Sequence, residues 1–188
     1  MSLPVIGGRV TPEELLEMEG AYELLEGKLV ERWASRSSML TSLNVARIVS
    51  GFLERFPIGE LYGSGLGIRV FRDRDRVRKA SLSFVRTSRI PAGDFGFLEV
   101  PPDLVIEVLS PSNRGGEMRL KIQEWLDNGV AEAWLLYPLS REIYVYRNDA
   151  PTRVLTASDP IESPSILPGF MATVADLFPA TLPAPAIP

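Results

Sequence analysis

The stretch "PPDLVIEVLSPSN", residues 101–113, is the one on which the fold turns. Leu104, Ile106 and Val108 alternate with Val105, Glu107 and Leu109, and a strand sends successive side chains to opposite faces. Apolar residues on both faces describe a strand covered on both sides, as at the centre of a sheet. Ser112 or Asn113 suits the N-cap of a helix over 116–127, whose stripe is Met118, Ile122, Trp125 and Leu126 and whose stop is Asn128-Gly129. Two further strands, "EAWLLY" and "EIYVYR", follow around 138–140. A strand, helix, strand unit from Leu104 to Leu136 requires a right-handed crossover and a parallel pair, so the sheet is mixed.

Upstream, "TPEE" at 11–14 is an N-cap signature and predicts a short helix over 11–19 that carries Leu15, Leu16 and Met18 and ends at Gly20. "YELLEGKLVERW", 22–33, alternates around Glu26-Gly27 and predicts a β-hairpin. Leu40, Leu43, Val45, Ile48, Val49, Phe52 and Leu53 fall at helical spacing in 37–56, the longest helix, which Pro57 stops. The segments 60–70 and 77–85 are rich in β-formers, with "RDRDR" between them as a solvated hairpin tip. "SILPGFMATVADLF" suggests a loop and a terminal helical turn, and the tail from about 179 is expected to fray.

With 188 residues and 45% hydrophobic content, the chain fits one domain, 1–188, able to bury a core without metal or disulfide staples. It has neither cysteine nor histidine, which excludes disulfides, thiolate zinc sites, imidazole ligands and a Ser-His triad, and leaves carboxylates, lysine and water for any chemistry. No apolar run approaches the roughly 20 residues of a membrane span and no signal-peptide pattern opens the chain, so a cytoplasmic location without membrane contact is expected. A net charge of −4 means that any nucleic-acid contact must come from a local patch.

Glu107 is the foremost candidate residue, because a carboxylate on a buried strand must be paired, protonated or cation-bound. The same reasoning leaves a structural ion pair as an equal alternative. Asp103 shares its face but lies about 13 Å away along the strand, too far for both to reach one magnesium ion at about 2.1 Å. A partner for Glu107 therefore comes from a neighbouring element, and Asp103 marks the start of the strand. Lys121 sits at the edge of the helical stripe, three residues after Met118 and four before Trp125, where its ammonium either swings toward Glu107 or snorkels into solvent. In an extended segment Arg72, Arg74, Arg76 and Arg78 share one face, a row able to track a phosphate backbone or to discourage edge pairing. Trp125, Trp134, Tyr144 and Tyr146 are expected in packing rather than in base stacking.

Taken with "YELLEGKLVE", "KIQEWLDNGVAEAWLLYP", "REIYVYR" and "LPGF…DLF", the "EVLSPS" strand resembles the Uma-two (Uma2) family, bacterial restriction-endonuclease-like proteins of the PD-(D/E)XK nuclease superfamily. The resemblance implies an α/β fold of the α+β type: a central mixed sheet flanked by helices, with an N-terminal hairpin. It also implies a Mg- or Mn-dependent DNA phosphodiesterase site in which an Asp and a Glu hold the cation and a Lys assists. Carried over by position, the Glu is Glu107, the Lys is Lys121, and Glu23 matches an N-terminal acid of the family's site. The Asp falls in "VRKASLSFV", where this chain has Ala80 and Ser81; a serine hydroxyl is neutral and a poor magnesium ligand. The histidine often found near the start of the family's long helix is replaced in the neighbourhood of Ser38 and Met39. The expectation is a nuclease-fold protein with a degraded metal site, inactive or weak, that contacts DNA through Arg74, Arg76 and Arg78. The alternatives are an active endonuclease with Glu23 as substitute ligand, and a non-catalytic, homodimeric interaction module.

Overall fold

The computed structural model describes residues 5–6, 8–71, 75–93, 96–110 and 115–180. In chain order the elements are β1 (Val5–Ile6), α1 (Pro12–Leu16), β2 (Tyr22–Leu25), β3 (Lys28–Glu31), α2 (Arg36–Arg55), β4 (Gly59–Gly63), β5 (Leu82–Arg86), β6 (Leu104–Val108), α3 (Gly115–Asp127), β7 (Glu132–Tyr137), β8 (Glu142–Arg147), β9 (Ala150–Leu155), β10 (Pro160–Ser163), β11 (Leu167–Thr173) and α4 (Val174–Leu177).

Six strands form the main sheet in the order β4-β5-β6-β7-β8-β9, with β6–β7 the parallel pair and every other neighbour antiparallel. The sheet is mixed, as the crossover through α3 requires. Every residue of β6 is buried, and its two faces feed two cores. Leu104, Ile106 and Val108 join Val45 and Val49 of α2 together with Ile161, Leu167, Phe170 and Val174 of the C-terminal hairpin and α4. Val105 joins Ala133 and Leu135 of β7 under Met118, Ile122 and Trp125 of α3.

The N-terminal hairpin turns at Glu26 and Gly27, both with positive φ (54° and 78°), the backbone that lets two antiparallel strands meet through a two-residue turn. A third small strand, β1, adds to its edge. Mutual backbone bonds between Leu24 and Val77 (2.8 and 2.9 Å) tie the hairpin to the segment that leads into β5. Ser35 caps α2, with its side chain accepting from the Ser38 N–H.

Several expectations need correction. α1 stops at Leu16 rather than running to Glu19, because only Pro12 and Leu15 find a buried face while Leu16 and Met18 stay exposed. β4 ends at Gly63 and β5 begins at Leu82, and among the described residues between them isolated bridges such as Ile68–Arg78 continue the pairing. The expected C-terminal loop is β11, paired with β10 across a bulge; an edge hairpin tolerates Pro168 and Gly169, which argue against a central strand. β9 and β10 carry no alternating apolar pattern and were not anticipated. Leu43 leaves the helical stripe, 65% exposed. The capping candidates Ser112 and Asn113 lie outside the described residues, as does Arg74.

Candidate functional site

A cavity of about 270 Å³ opens beside the carboxyl end of β6, where ligands of parallel-stranded sheets characteristically sit. Glu107 stands on its wall, and Ser81 lies opposite in the continued β5–β6 register that pairs Leu82 with Ile106. The Ser81 hydroxyl accepts a hydrogen bond from the Val108 N–H at 3.1 Å. Ser38 and Met39 of α2, Arg32 after β3 and Lys79 before β5 line the same space. Sequence positions far apart therefore converge on one cavity.

Glu107 and Lys121 meet. Lys121 is 3% exposed, and its ammonium lies 2.9 Å from Glu107 Oε1, donates to Glu23 Oε1 at 2.6 Å and donates to the Lys79 carbonyl at 2.7 Å. Two of its three protons go into hydrogen bonds, to Glu23 and to the Lys79 carbonyl, and Glu107 adds an ion pair. The i,i+4 spacing that stacks Lys121 and Trp125 on one row of α3 also explains why both reach the same atom: the Trp125 indole N–H donates to Glu107 Oε1 at 3.0 Å. Oε2 of Glu107 has no hydrogen-bond partner among the described residues.

Glu23 is fully buried behind the cavity wall and does not line it. The Leu24–Val77 bridge sets it beside the following residues, so it accepts from the Lys79 N–H at 3.0 Å and from Arg78 Nη1 at 3.0 Å, with Arg32 Nε at 3.7 Å. Burial alone pushes this carboxyl up, but Lys121, Arg32 and Arg78 outweigh it and hold the group at about 2, against an ordinary 4.5.

Of the arginine row, the two described members, Arg76 and Arg78, are both ion-paired within the fold. Arg78 and Arg76 share a face, as alternation demands, but that face meets Glu124 of α3. Arg78 pairs with Glu23 and Glu124, and Arg76 with Glu124 and Glu26. Arg78 is pushed upward by these partners although burial works against its charge. Asp103 serves the opposite end of β6, accepting from the Arg86 N–H at 3.0 Å and pairing with Arg89 at 2.8 Å. Trp125 and Trp134 are fully buried.

A divalent cation fits this arrangement poorly. Glu107 is the one carboxylate among the described lining residues, and its Oε1 already serves an ammonium and an indole. Ser81 supplies only a neutral hydroxyl, and no group of three or more Asp, Glu, His or Cys suited to a metal exists among the described residues. Among the described ion pairs around the site, Glu23, Glu26, Glu107 and Glu124 meet Arg32, Arg76, Arg78 and Lys121, four carboxylates against four cations, a balance without surplus negative charge to attract a metal. Nothing along the chain distinguishes Glu124, Arg32 or Lys79. Their charges are ordinary in sequence, and only tertiary contact gives them a place.

No helix among the described residues is long and apolar enough to cross a membrane. No curated protein matches the chain. Among solved structures, a crystal structure described as a "putative nuclease belonging to DUF820" from Anabaena variabilis is similar in fold, with a TM-score of 0.76 and 23% identity, covering 90% of this chain and 97% of that one. The family model for Uma2, described as "Putative restriction endonuclease", matches residues 12–175. The resemblance seen in the motifs is thereby borne out, and the chain belongs to the Uma2 family.

Proposed function

We propose that this protein is a restriction-endonuclease-like member of its family whose catalytic pocket no longer supports a divalent-metal centre, so that it is inactive or weak as a Mg- or Mn-dependent DNA phosphodiesterase. The observation that carries this reading is the Lys121 ammonium held between Glu107 and Glu23, with Ser81 where a second acid would face the cavity. A bound cation would have to displace that ammonium, and doing so would strand a buried charge. The direct test is to incubate the protein with plasmid and magnesium or manganese. Little or no cleavage is expected, and robust cleavage that Glu107→Ala abolishes would overturn the reading. In calorimetry Ser81→Asp should gain divalent-ion affinity over the native protein; no gain would count against the assigned position.

One observation favours a second reading, an active enzyme with Glu23 as the substitute ligand: Glu23 and Glu107 converge on one ammonium. Manganese-dependent cleavage lost in both Glu23→Gln and Glu107→Ala would select it.

A further inference from the structure

We propose that the cavity beside Glu107 binds a nucleotide unit without a metal ion: Lys79 and Arg32 hold the phosphate, Trp33 carries the base, and the free Glu107 oxygen takes a donor from the sugar or base. The inference deepens the reading of a metal-free pocket and rests on it. Three observations converge.

First, the charged residues among the described lining are Arg32, Lys79 and Glu107, two cations against one carboxylate. Lys79 lines the cavity, and among the described residues its ammonium has no partner; only its backbone N–H and carbonyl are engaged, by Glu23 and Lys121. Arg32 reaches Glu23 only at 3.7 Å and keeps its side chain 23% exposed. The wall thus carries surplus positive charge, which favours an anion and repels a cation. The hydroxyls of Ser42 and Ser64 also line the space and have no partner among the described residues, so they add donors suited to phosphate oxygens.

Second, three large apolar side chains at this cavity stay in water. Trp33 is 66% exposed, Met39 55% and Leu43 65%, the last two one turn apart on α2. An exposed indole beside cationic groups is a platform for a flat ring, and base–aromatic stacking contributes about 1–3 kcal/mol per base.

Third, Glu107 still offers one acceptor, Oε2. A purely anionic ligand gives that oxygen nothing, whereas a nucleotide brings hydroxyl or amino donors on the same molecule as its phosphate. At about 270 Å³ the space lies near the lower end of ligand cavities, about 300–1,000 Å³, which suits one nucleotide and not a duplex.

The test is calorimetry in EDTA with adenosine monophosphate, adenosine, inorganic phosphate and a short single-stranded oligonucleotide, alongside tryptophan fluorescence. Trp125 and Trp134 are fully buried, so the exposed Trp33 dominates any quenching by ligand. Adenosine monophosphate should bind in a salt-dependent manner and quench, with adenosine and phosphate each at least about tenfold weaker. Lys79→Ala should weaken the nucleotide by about tenfold and leave adenosine unchanged, and Trp33→Leu should weaken both; circular dichroism and thermal melts establish that each variant folds. Tighter binding of the oligonucleotide than of the mononucleotide identifies a strand as the source, and equal binding identifies the free nucleotide. Absence of binding, binding indifferent to Lys79→Ala, or binding that needs a divalent ion would overturn the proposal. Because plasmid cleavage and metal calorimetry use neither nucleotide affinity nor Lys79, failure here is distinguishable from failure of the metal-free reading.

Discussion

Glu107 and Glu132 are two buried glutamates on the adjacent parallel strands β6 and β7, each 2% exposed and each accepting from an indole N–H. Trp125 donates to Glu107 at 3.0 Å and Trp134 to Glu132 at 2.6 Å. They occupy opposite ends and opposite faces of the pair: Glu132 lies beside Leu104 on the α2 side, Glu107 beside Leu135 under α3. Glu132 finds its cation in Arg147 at 3.7 Å, on a side chain 34% exposed, and it is not among the residues that line the cavity beside Glu107. Glu107 finds Lys121, itself buried, and lines the cavity with an oxygen, Oε2, that has no hydrogen-bond partner among the described residues. Burial and an indole partner are therefore not what marks a site. What sets Glu107 apart is its place on the cavity wall.

The largest expected effect separates the two cations. Lys121→Met leaves Glu23 and Glu107 buried and facing each other, and should cost about 3–5 kcal/mol in urea unfolding at neutral pH. Arg147→Met removes a partly exposed partner at long range and should cost no more than about 1 kcal/mol. Equal costs would break the comparison.

Acid should act on the same cluster. The Glu23 carboxyl is held at about 2 in the folded chain against 4.5 ordinarily, so on acidification the unfolded chain takes up the proton first. Its stabilising contribution is complete above about pH 4.5 and disappears as the pH falls toward 2, on the order of 3 kcal/mol in all. Denaturant titrations across that window should show the slope, and Glu23→Gln should flatten it; an unchanged slope would remove Glu23 from the cluster.

The smallest effects sharpen the functional side. Glu132→Gln keeps an acceptor for Trp134, so it should cost about 1 kcal/mol and leave nucleotide binding unchanged. Glu107→Gln replaces the acceptor carboxylate with an amide and should weaken adenosine monophosphate binding roughly fivefold, of the order of 1 kcal/mol. Unchanged or tighter binding in that variant would remove Glu107 from the nucleotide's contacts.

The pattern of 101–137 determined the central strand, its two covered faces, the crossover helix and the parallel neighbour, because burial on both faces and helical periodicity are local properties that sequence displays directly. The hairpin at Glu26-Gly27 was legible for the same reason. So was the suspicion that Glu107 needs a partner, since an unpaired buried charge is costly anywhere. Which partner it found was decided only by tertiary structure. The Leu24–Val77 bridge carries Glu23 to Lys121, α3 turns Lys121 and Trp125 onto one oxygen, and Glu124 draws Arg76 and Arg78 away from the open face that their alternation suggested. β9, β10 and β11 likewise escaped local reading: β9 lies in water, and β10 and β11 bury only scattered apolar residues such as Ile161, Leu167 and Phe170, too few to set a period along the chain. Charge pairing depends on distances between segments tens of residues apart, and no period or spacing along the chain encodes them.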